Sequence, residues 1–427
     1  LLSLTAVGAE GHMFAATYRV DLFSQVFKTL LAIGLFLVVS LCGEIQDIRE
    51  GGRTDFYALL FVCTLAMMML VSADHLLAMY VSLELSSYSL YVLVALRRDQ
   101  ELGLEAGIKY FVVGIFASAF MVFGLALLYG TVHSAYIPEI TKSLPGMIKQ
   151  PAVIFGLLLT LSGFFFKLAI FPFHHWAPDV YQGAMNQVSA YIATASKVAA
   201  IAVVIKLVAA AGQGSSYLTH VLVVLSIVSM TVGNLAAITQ QDLKRLLAYS
   251  TVAHSGYVLL GILSMNRDGY AGAVFYALSL LVMKLTAFLV VVKVACNGRN
   301  PQLDDLAGLH RRSPLLALAL MVSLFSLAGI PPTIGFAGKF LVFVAAMERG
   351  YFTLVVIAMV NVVISLYYYL LVIKAAYLQE PAEAQPALRL SPAMSLLTGG
   401  LIVAMVLGGF FPNPLIELAI AASKAIL

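Results

Sequence analysis

The stretch from Phe111 to Tyr129 reads FVVGIFASAFMVFGLALLY, with no charged residue and no alternation of apolar and polar positions. Coiled as a helix at about 1.5 Å per residue, such a run nearly crosses the roughly 30 Å of hydrocarbon in a bilayer. A membrane barrel would show apolar–polar alternation in segments of about ten residues. Runs of the same kind recur from Leu22 to the C-terminus, separated by charged or Gly/Pro-rich joints. They divide the chain into about twelve spans, near 22–43, 55–72, 75–96, 103–130, 152–173, 187–211, 218–239, 243–264, 270–296, 314–347, 351–378 and 393–411. The fold class is an all-α polytopic membrane protein forming one membrane domain over 1–427, and the short joints make neighbouring helices antiparallel.

Composition agrees. Hydrophobic residues make up 61% and charged residues 11% of the chain, where a soluble domain carries about 25% charged. The net charge of +4 is scattered over the loops, without the block of like charge that a nucleic-acid partner would need. Cys42, Cys63 and Cys296 lie far apart with no CxxC spacing, so they read as small core residues and not as metal or cluster ligands. The chain opens without Met and without a signal-peptide layout, and an incomplete N-terminus is expected.

The Lys/Arg bias of the loops sets the orientation. One set of joints holds Arg49, Arg53, Arg97, Arg98, Lys244, Arg245, Arg299, Arg311, Arg312 and Arg389; the other holds mainly Arg19, Lys142, Lys149, Arg267, Arg349 and Lys424. The first set is expected on the cytoplasmic side, with the C-terminus periplasmic.

Two segments interrupt the apolar spans with proline. One runs from Lys167 through Pro172, His174, His175 and Trp176 to Asp179; the other runs from Ser326 through Pro331 and Pro332 to Lys339. Proline removes an amide donor and clashes with the preceding turn, so a break or kink is expected near Pro172 and near Pro331. The breaks fall five spans apart, each with a lysine close by. That spacing predicts two inverted five-helix repeats, 55–211 and 218–378, followed by a C-terminal helix and tail over 393–427. Broken helices at matching positions also point to a central ion site.

Charged residues within the spans carry the functional reading. Lys167, Lys197, Lys284 and Lys339 each stand near the middle of an apolar stretch, and Glu84 does so between Leu76 and Leu96. A charge at mid-bilayer costs about 2.5–3.5 kcal/mol on insertion scales, so such residues mark ion or proton paths. Glu84 is expected to pair with Lys167, while Lys197 and Lys284 form a central relay and Lys339 ends the path near one surface. His254 is either a relay or a structural histidine. Lys109, His174 and Asp179 are possible accessories, although the His174–Asp179 cluster fits an interfacial cap equally well. Lys28, Lys109, Lys206 and Lys293 lie near span ends, where snorkelling is the default. Tyr367, Tyr368 and Tyr369 read as packing or anchoring residues. No nucleophile–base pair, phosphate loop or dinucleotide fingerprint is present in the sequence.

The run FKLAIFPFHHWAPDVYQGA at 166–184, followed by VSAYIATASK, resembles the antiporter-like membrane subunits of respiratory complex I (NADH–quinone oxidoreductase), and among them the subunit N branch related to mitochondrial subunit 2. HLLAMYVSLEL around Glu84, LEAGIKYF around Lys109, DLKRLLAYSTVAHSGYVLLG and SLAGIPPTIGFAGKF extend the likeness over essentially the whole chain. The resemblance implies fourteen helices, of which this chain would hold the third to the fourteenth. It also implies the helix-five carboxylate at Glu84 and its helix-seven partner at Lys167. Lys197 becomes the central lysine of helix eight, Lys284 that of helix eleven and Lys339 the terminal lysine of helix twelve. Relatives typically carry a proline-containing segment after YQGA where this chain reads Met185-Asn186-Gln187, so the sequence signal for a bend ahead of Lys197 is lost.

The function implied is proton translocation in a bacterial inner membrane, driven by quinone reduction elsewhere in the complex. No cofactor is expected in this chain, while FMN, iron–sulfur clusters and quinone are expected in partner subunits. The implied partners are the neighbouring antiporter-like and small membrane subunits and the bilayer. The alternatives are a subunit of a multisubunit cation/proton antiporter or of a related ferredoxin-dependent complex, and a purely structural spacer of the membrane arm.

Overall fold

The computed structural model describes residues 8–43, 48, 52–97, 101–212, 216–295, 299–381 and 386–426. Arg49, Arg98 and Cys296 lie outside them. A short antiparallel hairpin, β1 (Gly11–Met13) and β2 (Tyr18–Val20), leads into α1 (Leu22–Ser40). Asp21 starts α1 with a reciprocal cap: its Oδ1 accepts from the Ser24 amide at 2.7 Å, and its own amide donates to Ser24 Oγ at 3.0 Å. Then follow α2 (Arg53–Ser72), α3 (Leu76–Ala95), α4 (Glu101–Val132) and the short surface helix α5 (Ile137–Met147).

The chain continues through α6 (Pro151–Leu168), α7 (Trp176–Gly183), α8 (Asn186–Ala193), α9 (Ala195–Ala211), α10 (Ser216–Ile238), α11 (Leu243–Leu263) and α12 (Arg267–Val294). It ends with α13 (Leu309–Arg312), α14 (Pro314–Ala328), α15 (Ile334–Glu348), α16 (Phe352–Leu378), α17 (Pro392–Phe410) and α18 (Asn413–Lys424). Proline opens α6, α14 and α17 at the first turn, where its missing amide costs nothing.

Among the described residues, eleven helical segments are long and apolar enough to cross a membrane. A twelfth crossing is split into α14 and α15, so the twelve spans read from the sequence are recovered. The same alternation of helices follows in both halves: α2, α3, α4, α6 with α7, and α8 with α9, then α10, α11, α12, α14 with α15, and α16. α4 packs along α6 as α12 packs along α14.

The core lies along α9, α11 and α12, which are buried nearly all round; α2, α4, α10, α16 and α17 keep wide apolar faces outward. Small residues let the inner helices approach closely. A Cβ on Gly233 of α10 would stand 2.5 Å from the Ala253 amide nitrogen of α11, which only glycine avoids.

One surface gathers many of the basic residues assigned to the cytoplasmic side. Arg97 donates to the Gln182 and Gly183 carbonyls at 3.1 and 3.2 Å and to Asn300 Oδ1 at 3.1 Å. Lys244, fully buried, donates to the Ala184 carbonyl at 2.6 Å and to the same Asn300 at 3.0 Å. Part of the basic bias therefore closes exposed helix ends. The snorkelling expected of Lys206 and Lys28 is overturned. Lys206 is buried and donates to the Val71 and Ala73 carbonyls at 2.8 and 3.3 Å, capping the end of α2, and Lys28 lies buried 4.6 Å over the Tyr18 ring.

Candidate functional site: lysines on broken helix ends

Both proline segments break their helices as expected, and in one geometry. α6 ends at Ala169 in the left-handed region (φ 57°, ψ 40°), and α14 ends at Gly329 likewise (φ 86°, ψ 41°). In the first break the amides of Ala169 and Ile170 donate back to Phe166 and Phe165; in the second those of Gly329 and Ile330 donate back to Ser326 and Phe325. Each break is followed by a cis peptide, Phe171–Pro172 and Pro331–Pro332.

This capping uses two carbonyls of the last turn and leaves the next two free. Lys197 Nζ takes the free Lys167 carbonyl at 2.6 Å, and Lys339 Nζ takes the free Leu327 and Ala328 carbonyls at 2.8 and 2.9 Å. The remaining Leu168 carbonyl accepts from Ser255 Oγ at 2.5 Å. Both lysines also lie over an aromatic face, Lys197 at 4.8 Å from the Trp176 ring centre and Lys339 at 4.7 Å from that of Tyr257. An ammonium is favoured at a helix C-terminus and over a ring face.

This geometry decides which lysine at one break corresponds to which at the other. Superposing Ala169 on Gly329 carries Lys167 onto Leu327 and Asp179 onto Lys339. Lys167 and Lys339 are therefore not equivalent. The equivalent pair is Lys197 and Lys339, which reach the same break carbonyl from different helices. A second interruption falls where the sequence signal is lost: Thr194 (φ −118°, ψ −86°) separates α8 from α9, three residues before Lys197.

Between the two seats runs a hydrogen-bonded chain. Lys284 Nζ donates to Ser250 Oγ at 2.6 Å and to the Leu247 carbonyl at 3.0 Å. Ser250 Oγ and Tyr369 Oη share a hydrogen bond of 2.6 Å, and Tyr369 Oη lies 3.2 Å from His254 Nε2. His254 Nδ1 is 2.6 Å from Tyr276 Oη. Lys197, His254, Lys284 and Thr251 line one small enclosed cavity of about 10 Å³, close to the room one water needs. The Tyr257 ring continues from His254 (centroids 5.8 Å apart) to Lys339. Lys339 is buried at the break.

Glu84 and Lys167 do not pair in this structure. Glu84 is half-buried and accepts a short hydrogen bond from Ser118 of α4. Lys167 Nζ is buried with no hydrogen-bond partner among the described residues. Lys109 and Asp179 leave the path for the basic surface, where Asp179 Oδ2 meets Lys109 at 2.8 Å and Oδ1 meets Arg245 at 2.6 Å. His174 is buried against His175, ring centres 4.1 Å apart, with its Nδ1 unpartnered among the described residues. Sequence reading missed Ser250, Tyr276, Trp176 and Tyr369. Ser250 is four residues from His254 on one helix face, the only local signal available.

Residues 73–365 match the family described as NADH:quinone oxidoreductase/Mrp antiporter, TM. NADH-quinone oxidoreductase subunit N 2 of Syntrophobacter fumaroxidans is 72% identical over 99% of this chain and 90% of its own length. A chain of respiratory complex I from Thermus thermophilus with bound aureothin superposes with a TM-score of 0.86 at 35% identity, over 97% of this chain and 90% of its own. A chain of the Mrp complex from Dietzia sp. DQ12-45-1b superposes at 0.89 over 100% and 90%, but at 23% identity it shows the shared fold alone. A likeness of this depth along almost the whole length means that the chain belongs to the antiporter-like membrane subunits of NADH-quinone oxidoreductase, in the subunit N family.

Proposed function

We propose that this chain moves protons along a row of buried lysines, and that the energy comes from electron transfer in partner subunits of a complex I membrane arm. The observation that carries the reading is the shared seat of Lys197 and Lys339 on the broken ends of α6 and α14. Neither ammonium has a carboxylate within ion-pair distance among the described residues. Each is held by carbonyl dipoles and a ring face, so a charge arriving on a neighbour alters its hold on a proton.

The path runs from Glu84 and Lys167 to Lys197, across the small cavity to His254 and Lys284, and on to Lys339. The open Glu84–Lys167 pair supports a switching role. Closing the pair places a carboxylate beside Lys167 and lowers the positive field felt by Lys197, whose Nζ rests on the Lys167 carbonyl. The chain itself acts without a redox centre, and FMN, iron–sulfur clusters and quinone belong to partner subunits. Its neighbours are other antiporter-like and small membrane subunits. The basic surface around Arg97, Lys244 and Arg245 faces the cytoplasm of a bacterial cell, which puts α18 and the C-terminus in the periplasm.

The test is a pumping assay on the reconstituted complex. Lys197→Ala and Lys339→Ala complexes should assemble, and should move fewer protons per electron than wild type. Wild-type ratios in both variants would sink the scheme.

A further inference from the structure

A groove of about 710 Å³ opens between α1 and α17, away from the lysine path. Its walls are apolar: Phe36 on one side, with Leu396, Leu397 and Leu401 on the other. Phe36 is 66% and Leu396 79% exposed. Its mouth is cationic. Lys293 reaches it from the last turn of α12, and Arg389 from the segment just ahead of the Ser391 cap of α17. The Leu388 amide donates to the Arg312 carbonyl at 3.1 Å, which fixes this mouth on the basic surface. Neither Lys293 nor Arg389 has a carboxylate within ion-pair distance among the described residues.

A groove with two cations at one end, neither matched by a carboxylate among the described residues, and an apolar trough below calls for an occupant with an anionic head and a hydrocarbon body. We propose that it binds an anionic phospholipid, with the phosphate between Lys293 and Arg389 and an acyl chain along Phe36, Leu397 and Leu401. Basic pockets between membrane helices on the positively biased side favour such head groups. A neutral lipid gains the trough but not the charge pair.

The test uses the intact complex in bilayers with acyl-chain photoreactive phosphatidylglycerol or phosphatidylcholine, each labelled site mapped by mass spectrometry. Each cation near the surface contributes a preference of roughly five-fold, so phosphatidylglycerol should label the groove residues by up to about 25-fold over phosphatidylcholine. The double variant Lys293→Gln, Arg389→Gln should bring the two lipids level. Leu397→Trp, which keeps both charges but fills the trough, should lower labelling by phosphatidylglycerol. Equal labelling by the two lipids in wild type would overturn the proposal, as would labelling confined to another subunit that covers the groove.

Discussion

At the scale of single residues, the hydroxyl of Tyr369 is the joint between two titratable groups. It lies 2.6 Å from Ser250 Oγ and 3.2 Å from His254 Nε2, and Ser250 in turn receives Lys284. Removing it costs about 1–1.5 kcal/mol of hydrogen bonding, or roughly a ten-fold slower transfer if the hydroxyl carries the proton. Tyr369→Phe should therefore slow proton transport at unchanged assembly, measured as pumping rate in proteoliposomes; an unchanged rate would leave Tyr369 as packing. The four lysines and Glu84 stood out in the sequence because charge amid apolar residues is costly. Tyr369 did not, since a tyrosine among three in a row looks like packing until a histidine from another helix is seen against it. The expected Glu84–Lys167 pair is open in the structure, because pairing across helices depends on ångström-scale placement that no local pattern encodes.

At the scale of elements, the breaks themselves were legible from proline, but their chemistry was not. Sequence order put a lysine close to each break, Lys167 ahead of Pro172 and Lys339 after Pro332. The caps show that the matching lysines are Lys197 and Lys339, because equivalence is set by which carbonyl is left free and not by distance along the chain. The Thr194 interruption had no proline to announce it and shows only in the backbone conformation (φ −118°, ψ −86°). Gly329 is the sensitive point of the second break. Its φ of 86° disfavours any side chain, and an added Cβ would stand 2.9 Å from Lys339 Cδ. Gly329→Ala should cost about 1–2 kcal/mol in backbone strain and displace Lys339 as well. A drop in both the melting temperature of the complex and its pumping is expected. Ala169→Gly at the equivalent position, where the alanine already tolerates φ 57°, should leave pumping intact. Equal effects of the two substitutions would contradict the assignment.

At the scale of the whole molecule, hydropathy was sufficient to count the spans, since that signal is summed over many residues, and the charge bias supplies the proposed orientation. The orientation predicts that Lys424→Cys, in a cysteine-free background, reacts with a membrane-impermeant maleimide added outside intact cells, whereas Arg299→Cys reacts only after permeabilisation. The reverse pattern would invert the molecule. The interior shows how a bilayer protein holds cations with no carboxylate in ion-pair reach among the described residues: Lys197 and Lys339 both rest on free carbonyls of helix ends. A carboxylate seat can itself take up the proton it is meant to attract, and so competes with its guest. A peptide carbonyl cannot do so at any pH the cell meets. The attraction at each break is therefore a fixed feature of the landscape, and acidifying one side of the membrane fills the lysines without erasing the wells that hold them.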